Sequence, residues 1–176
     1  GAGRCADACA HMWTGDVNGT GWMWLSSRTA AGGTCWRAQA LTPGVYGLSS
    51  AALDTPWPKN IALKQALAAA LAGSGDQETL VAPLWAALTN RQRVSSDDQL
   101  PKTGIAPALE QALSSAFVDM PERAYGTRSS TVLLASRQLD SAPKSLRFQI
   151  EERTYLREIF GPRLPFKRQI WTGQEI

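Results

Sequence analysis

The sequence predicts an α+β fold, antiparallel sheets accompanied by helices, and three observations carry that expectation. Leu146, Phe148 and Ile150 alternate with Arg147, Gln149 and Glu151, the two-residue period of a strand with one covered face. Trp22-Met23-Trp24-Leu25-Ser26 and the segment 35–41 are strand-forming stretches on either side of a Gly32-Gly33 loop, which makes them a hairpin. Ile61, Leu63, Leu67 and Leu71 recur among alanines close to helical spacing. With 176 residues the chain has the length of one domain, and a compact chain of that size buries roughly 70% of its unfolded surface.

The elements follow in order. Residues 1–20 show no sustained period and are expected to be irregular. After the hairpin, Pro43-Gly44 makes a turn, and Val45-Tyr46-Gly47-Leu48 reads as a short strand ending at Ser49-Ser50. Thr55-Pro56 starts a helix, because a hydroxyl can cap free amides and proline needs no N–H partner in the first turn. That helix is expected over 57–72, with Asp54 helping to cap it, Trp57 packing its first turn and Gly73 stopping it.

Ser74 and Asp76 can cap a second helix reaching about Asn90, whose face is Leu80, Leu84, Trp85 and Leu88, with Pro83 as an early kink. A polar loop over 91–102 leads to a helical candidate at 105–115, a short strand at 117–120 and a connection at 121–124. Strands at 129–135 and 146–153 close the pattern. The tail, 157–176, mixes Phe160, Phe166 and Trp171 with Arg157, Arg163, Lys167 and Arg168 around Pro162 and Pro165. It reads as a loosely packed or disordered basic-aromatic extension, since prolines interrupt any amphipathic helix.

Composition excludes several function classes. The net charge is +3, with seven basic against seven acidic residues in 1–100 and eleven against eight in 101–176. Arg147, Arg153 and Arg157 alternate with Glu151, Glu152 and Glu158, a solvated mixed-charge surface and not the dense basic face of a nucleic-acid binder. No apolar run approaches the roughly 20 residues that span a bilayer, so no integral membrane segment is expected. Cys5, Cys9 and Cys35, an odd number without an export signal, read as free thiols of a cytoplasmic protein. Cys5, Cys9 and His11 lack a further ligand pair to close a tetrahedron, so no metal site is expected. The single histidine and the absence of a Gly-x-Ser-x-Gly elbow speak against a Ser/His/Asp triad, and no glycine-rich phosphate loop occurs.

Four segments stand out from this background: Trp22 to Arg28, the turn-rich junction Tyr46 to Lys59, Leu100-Pro101-Lys102-Thr103-Gly104, and Tyr125 to Leu134. On them the chain resembles the NRDE family, also called the transport and Golgi organisation 2 family. Residues 21–156 are accordingly expected to be the C-terminal portion of a family domain. The resemblance implies a partial αββα sandwich similar to N-terminal-nucleophile hydrolases. In those enzymes a cysteine after the initiator methionine attacks amides, with its own α-amino group as base. The family's Met-Cys opening and its Asn-Arg-Asp-Glu signature are not in this sequence, and Cys5 has no Lys or His beside it to lower its thiol pKa. No catalytic residue is therefore expected.

The ligand-binding candidates are Arg128, Tyr46, Ser50 and Asp54. Arg128 is an always-charged fork able to hold a carboxylate, or else half of a structural ion pair with Asp54 or Glu122. Tyr46 either lines a pocket or packs as a strand aromatic. Ser50 stands where the family usually has Asn, whose side-chain N–H could serve an oxyanion. The resemblance implies a role in Golgi organisation, protein secretion, and haem or lipid handling, with haem or an acyl compound as a small amphipathic ligand. The alternative is a fragment of a cysteine amide hydrolase, inactive without its nucleophile. An incomplete sandwich would leave a sheet uncovered, with Trp22, Trp24 and Leu48 as candidates for the exposed surface and a homodimer as one way to cover it.

Overall fold

The computed structural model describes residues 10–15, 21–28, 34–138, 145–155 and 166–175. The expectations for 1–9 and 16–20, for the Gly32-Gly33 loop, and for Cys5 and Cys9 lie outside the described residues. The chain divides into two compact units, Gly1–Thr55 and Pro56–Ile176.

The first unit is an antiparallel meander of β1 (His11–Gly15), β2 (Trp22–Arg28) and β3 (Thr34–Leu41), in that order. The β2–β3 pair is the predicted hairpin. Strand β1 corrects the expectation of an irregular start. Five residues are too few to display a period of their own, but β2 offers an edge, and His11, Met12 and Trp13 pair with Ser26, Leu25 and Trp24. His11 stacks on Trp24 with ring centroids 5.6 Å apart, so Trp24 is 8% exposed while Trp22 is 52% exposed. Of the expected exposed aromatics, only Trp22 is one. Gly15 lies opposite Trp22, whose ring covers the space a β-carbon would need. The expected strand at 45–48 does not form; that stretch is held by local hydrogen bonds in place of a ladder.

The second unit contains α1 (Pro58–Gly73), α2 (Gln77–Leu88), α3 (Pro107–Ala112), a two-stranded ribbon of β4 (Asp119–Met120) and β5 (Tyr125–Gly126), and a sheet of β6 (Ser129–Gln138), β7 (Ser145–Tyr155) and β8 (Phe166–Glu175). The α+β class is thus observed, with antiparallel sheets and a few helices. Helix α1 opens on Pro58 with extended Trp57 before it and no side-chain cap. Helix α2 is capped as the sequence predicts, Asp76 Oδ1 accepting from Thr79 N at 2.8 Å.

Strand β8 corrects the expectation of a loose tail. Ile170, Trp171 and Thr172 favour extended backbone, and Pro162 and Pro165 precede the strand, where they cannot remove a ladder donor from it. Pairing with β7 runs from Tyr155 opposite Phe166 to Leu146 opposite Glu175. Gly173 lies opposite Phe148, and here again an aromatic ring occupies the place of a β-carbon.

The alternation of the sheet gives it two unlike faces. One carries Val132, Gln149, Glu151, Arg153 and Arg168, and α2 packs there, with Trp85 4% exposed and the Arg153 guanidinium 3.9 Å over its ring. The other carries Leu133, Phe148, Ile150 and Trp171, of which Leu133 is 62% exposed. The unit's buried core also takes in Val94, Leu100, Phe117 and Met120. Phe117 meets Tyr155 edge-on at 4.7 Å, and Arg91 lies 4.7 Å over the Phe117 ring. Among the described residues no helix is long and apolar enough to cross a membrane.

Candidate functional site

Several side chains in the segments that carry the resemblance fasten backbone. In the junction, the Tyr46 hydroxyl donates to the Thr42 carbonyl at 2.8 Å. Gly47 N donates to Asp54 Oδ1 and Asp54 N donates to the Gly47 carbonyl, both at 2.8 Å. Asp54 takes φ +58°, a left-handed conformation that Asp tolerates better than most residues. The expected helix cap is therefore a loop clasp: Asp54 closes 47–54, and the Thr55 hydroxyl donates backwards to Ala52 O at 2.8 Å. Ser50 is exposed on that loop.

Arg128 belongs to the second unit and lies between β5 and β6. Its carbonyl accepts from Tyr155 N at 2.8 Å, and among the described residues its guanidinium forms no ion pair. Beside it, Thr127 N donates to Val118 O at 2.8 Å and Val118 N donates to Thr127 Oγ1 at 3.0 Å. A β-carbon on Gly126 would come within 2.8 Å of that same Val118 carbonyl, which explains the glycine. Tyr46, Ser50 and Asp54 thus share one neighbourhood of the first unit, and Arg128 stands in the second.

The Leu100 to Gly104 segment wraps a carboxylate that sequence reasoning missed. Glu110, buried at the start of α3, accepts from Lys102 N at 2.9 Å, from Thr103 N and from Thr103 Oγ1 at 2.8 Å. The Thr103 hydroxyl, aided by the two backbone amides, holds the Glu110 pKa below the ordinary value against the opposing push of burial. Lys102 and Gly104 both adopt positive φ around those amides.

A groove of about 700 Å³ runs along α1 and α2 in the second unit. Ala62, Leu63 and Ala66 of α1 and Ala86 and Ala87 of α2 give it an apolar floor, and the small side chains of the four alanines leave the space open. Lys59, Arg93 and Asn90 supply polar groups. Lys59 is half-buried, donates from Nζ to the Leu113 carbonyl at 3.0 Å, and has no carboxylate partner among the described residues. Burial pushes its pKa down. Arg93 is tied by Nη2 to the Asp119 carbonyl at 3.0 Å. Lys59 closes the Tyr46 to Lys59 segment, the one signal by which the sequence pointed at it.

A second cleft, about 490 Å³, lies where α2 meets the sheet and is lined by Trp85, Glu151, Arg153 and Arg168. Glu151 is buried and accepts from Arg168 Nε and Nη2 at 2.9 Å each and from Arg153 Nε at 3.1 Å. Arg168 first, then Arg153, hold its pKa below the usual carboxylate range, against burial. A carboxylate already bridging two guanidiniums is a clamp. Arg128, Tyr46, Ser50 and Asp54 line neither cleft. No cluster of three or more His, Cys, Asp or Glu that could hold a metal occurs among the described residues.

The family model described as Transport and Golgi organisation 2 matches residues 11–156, beginning with β1. The Transport and Golgi organization protein 2 homolog of Bos taurus is 37% identical over 99 residues, covering 53% of this chain and 35% of that protein. The Homo sapiens homolog is 35% identical over 99 residues, with the same coverage. The match therefore spans about a third of the length of these relatives.

Proposed function

The chain belongs to the transport and Golgi organisation 2 family, and on that premise we propose that its second unit binds a small amphipathic anion, an acyl compound or a haem-like carboxylate, and holds it without turnover. The process this serves is Golgi organisation and protein secretion. One observation carries the proposal: Lys59 is a half-buried amine at an apolar groove with no carboxylate partner among the described residues. A half-buried cation without a counter-charge is unfavourable, and an anionic head group at Lys59 reduces that cost while the chain covers the alanine floor. The groove volume lies within the range of small-molecule sites, roughly 300–1,000 Å³.

The finer fold belongs to the same proposal. A helical layer on one face of β6–β8 and an exposed apolar face carrying Leu133 and Trp171 on the other support an αββα sandwich, in which that second face receives another sheet. A cytoplasmic setting is also part of it, supported by the odd number of three cysteines.

Calorimetric titration with dodecanoate and with haemin tests the binding. Saturable binding is expected, weakened roughly tenfold or more in Ala66→Phe, whose ring fills the groove. Unchanged affinity in a folded Ala66→Phe protein, or no saturation with either ligand, would overturn the proposal. An acyl-amide panel incubated with the same protein is expected to show no turnover.

A further inference from the structure

We propose that Lys59 is also a covalent site, forming an imine with a long-chain aldehyde whose hydrocarbon lies along the α1–α2 groove. The inference rests on the groove accepting amphipathic chains and adds a reaction to it. Lys59, Ala62, Leu63 and Ala66 follow one another at helical spacing, so the amine and the apolar floor share one face of α1. The hydrogen bond from Nζ to the Leu113 carbonyl at 3.0 Å fixes the amine in place. A neutral amine has two N–H donors and one lone pair, so this bond uses a donor and leaves the lone pair for the groove.

The environment shifts the balance toward that neutral form. Burial disfavours the ammonium, and no carboxylate among the described residues offsets it, which lowers the pKa. Neutral lysine is the nucleophile of imine chemistry. Lys102 and Lys167, by contrast, are exposed and line no part of the groove.

The step needs no cofactor. The Nζ lone pair forms a bond to the carbonyl carbon, the carbonyl π pair moves to oxygen, and a proton shift gives the carbinolamine. Loss of the hydroxyl with the remaining amine proton releases one water and leaves the C=N bond, so nothing is oxidised or reduced.

The experiment incubates the whole chain with dodecanal and cyanoborohydride, a hydride donor that converts the imine into a stable secondary amine, and maps the dodecyl group by peptide mass spectrometry. Lys59 is expected to be labelled roughly tenfold faster than Lys102 or Lys167, and Ala66→Phe is expected to suppress that label selectively. Lys59→Arg should lose the groove label and keep the slow surface labelling. Labelling spread over all lysines according to exposure, or a Lys59 label unchanged in a folded Ala66→Phe protein, would overturn the proposal. If calorimetry shows dodecanoate binding and Lys59 stays unlabelled, the imine fails and the anion groove stands. If the Lys59 label depends on the open groove while neither dodecanoate nor haemin binds, the imine stands and the anion reading fails.

Discussion

Arg153 and Arg168 stand directly opposite each other across the β7–β8 pairing, and the buried carboxylate of Glu151 bridges them. Like charges facing across a sheet repel. Here the residue two positions before Arg153, on the same face, turns that repulsion into a three-membered clamp that fastens the edge strand. The arrangement works only while Glu151 is ionised.

A pH dependence follows. Hydrogen bonds from Arg168 hold the folded-state pKa of Glu151 below the value of about 4.3 for the unfolded chain. A depressed carboxylate contributes stability that is present above the unfolded value and lost as pH falls through the folded one. Thermal melts from about pH 7 down to pH 3 should show this acid loss. Glu151→Gln should melt lower at neutral pH and lose less on acidification, with faster amide exchange along β8. An identical acid slope in both proteins would remove Glu151 from the account.

Phe117 should be costly to truncate. It is 2% exposed, meets Tyr155 edge-on and lies under Arg91. Phe117→Ala is expected to lose about 3–5 kcal/mol in urea unfolding, the range for a buried aromatic. Arg91→Ala, which takes the guanidinium from the ring and from Asp119 at 3.1 Å, should cost much less, since that pair is partly exposed.

Ala124 offers a gain. It sits at φ +50°, where an L side chain costs about 1–2 kcal/mol, whereas glycine costs about 0.5–1 kcal/mol in lost chain freedom. Ala124→Gly should therefore stabilise the second unit by about 0.5–1 kcal/mol, read as a raised denaturation midpoint. A lower midpoint would mean that the methyl group makes contacts worth more than the strain.

The regular elements are legible where a local signal exists: the β2–β3 hairpin, the Asp76 cap of α2, and the alternation in β7. Strands β1 and β8 are not, because a neighbouring edge creates them and neither His11–Gly15 nor the proline-flanked tail advertises a partner. The same holds for the sites. Asp54 and Arg128 draw notice as charged groups in a motif, but that Asp54 clasps Gly47 and that the Arg128 carbonyl accepts from Tyr155 emerges only in the fold. Lys59, Glu110 and Glu151 acquire their character from burial and from residues brought close by the fold, such as Leu113 for Lys59 and Arg168 for Glu151. Sequence spacing does not report that.

The two rings that lie over bare glycine backbone, Trp22 on Gly15 and Phe148 on Gly173, make each sheet intolerant of misalignment. A strand displaced by two residues keeps its inner and outer faces, so hydrophobic patterning alone would not reject it. It would, however, set the ring against a side chain and leave the glycine uncovered. Each sheet thus carries a socket that only the native alignment fills, and in β8 that socket acts at a different point from the Glu151 clamp. Any side chain at position 15 or 173 must first evict an aromatic ring.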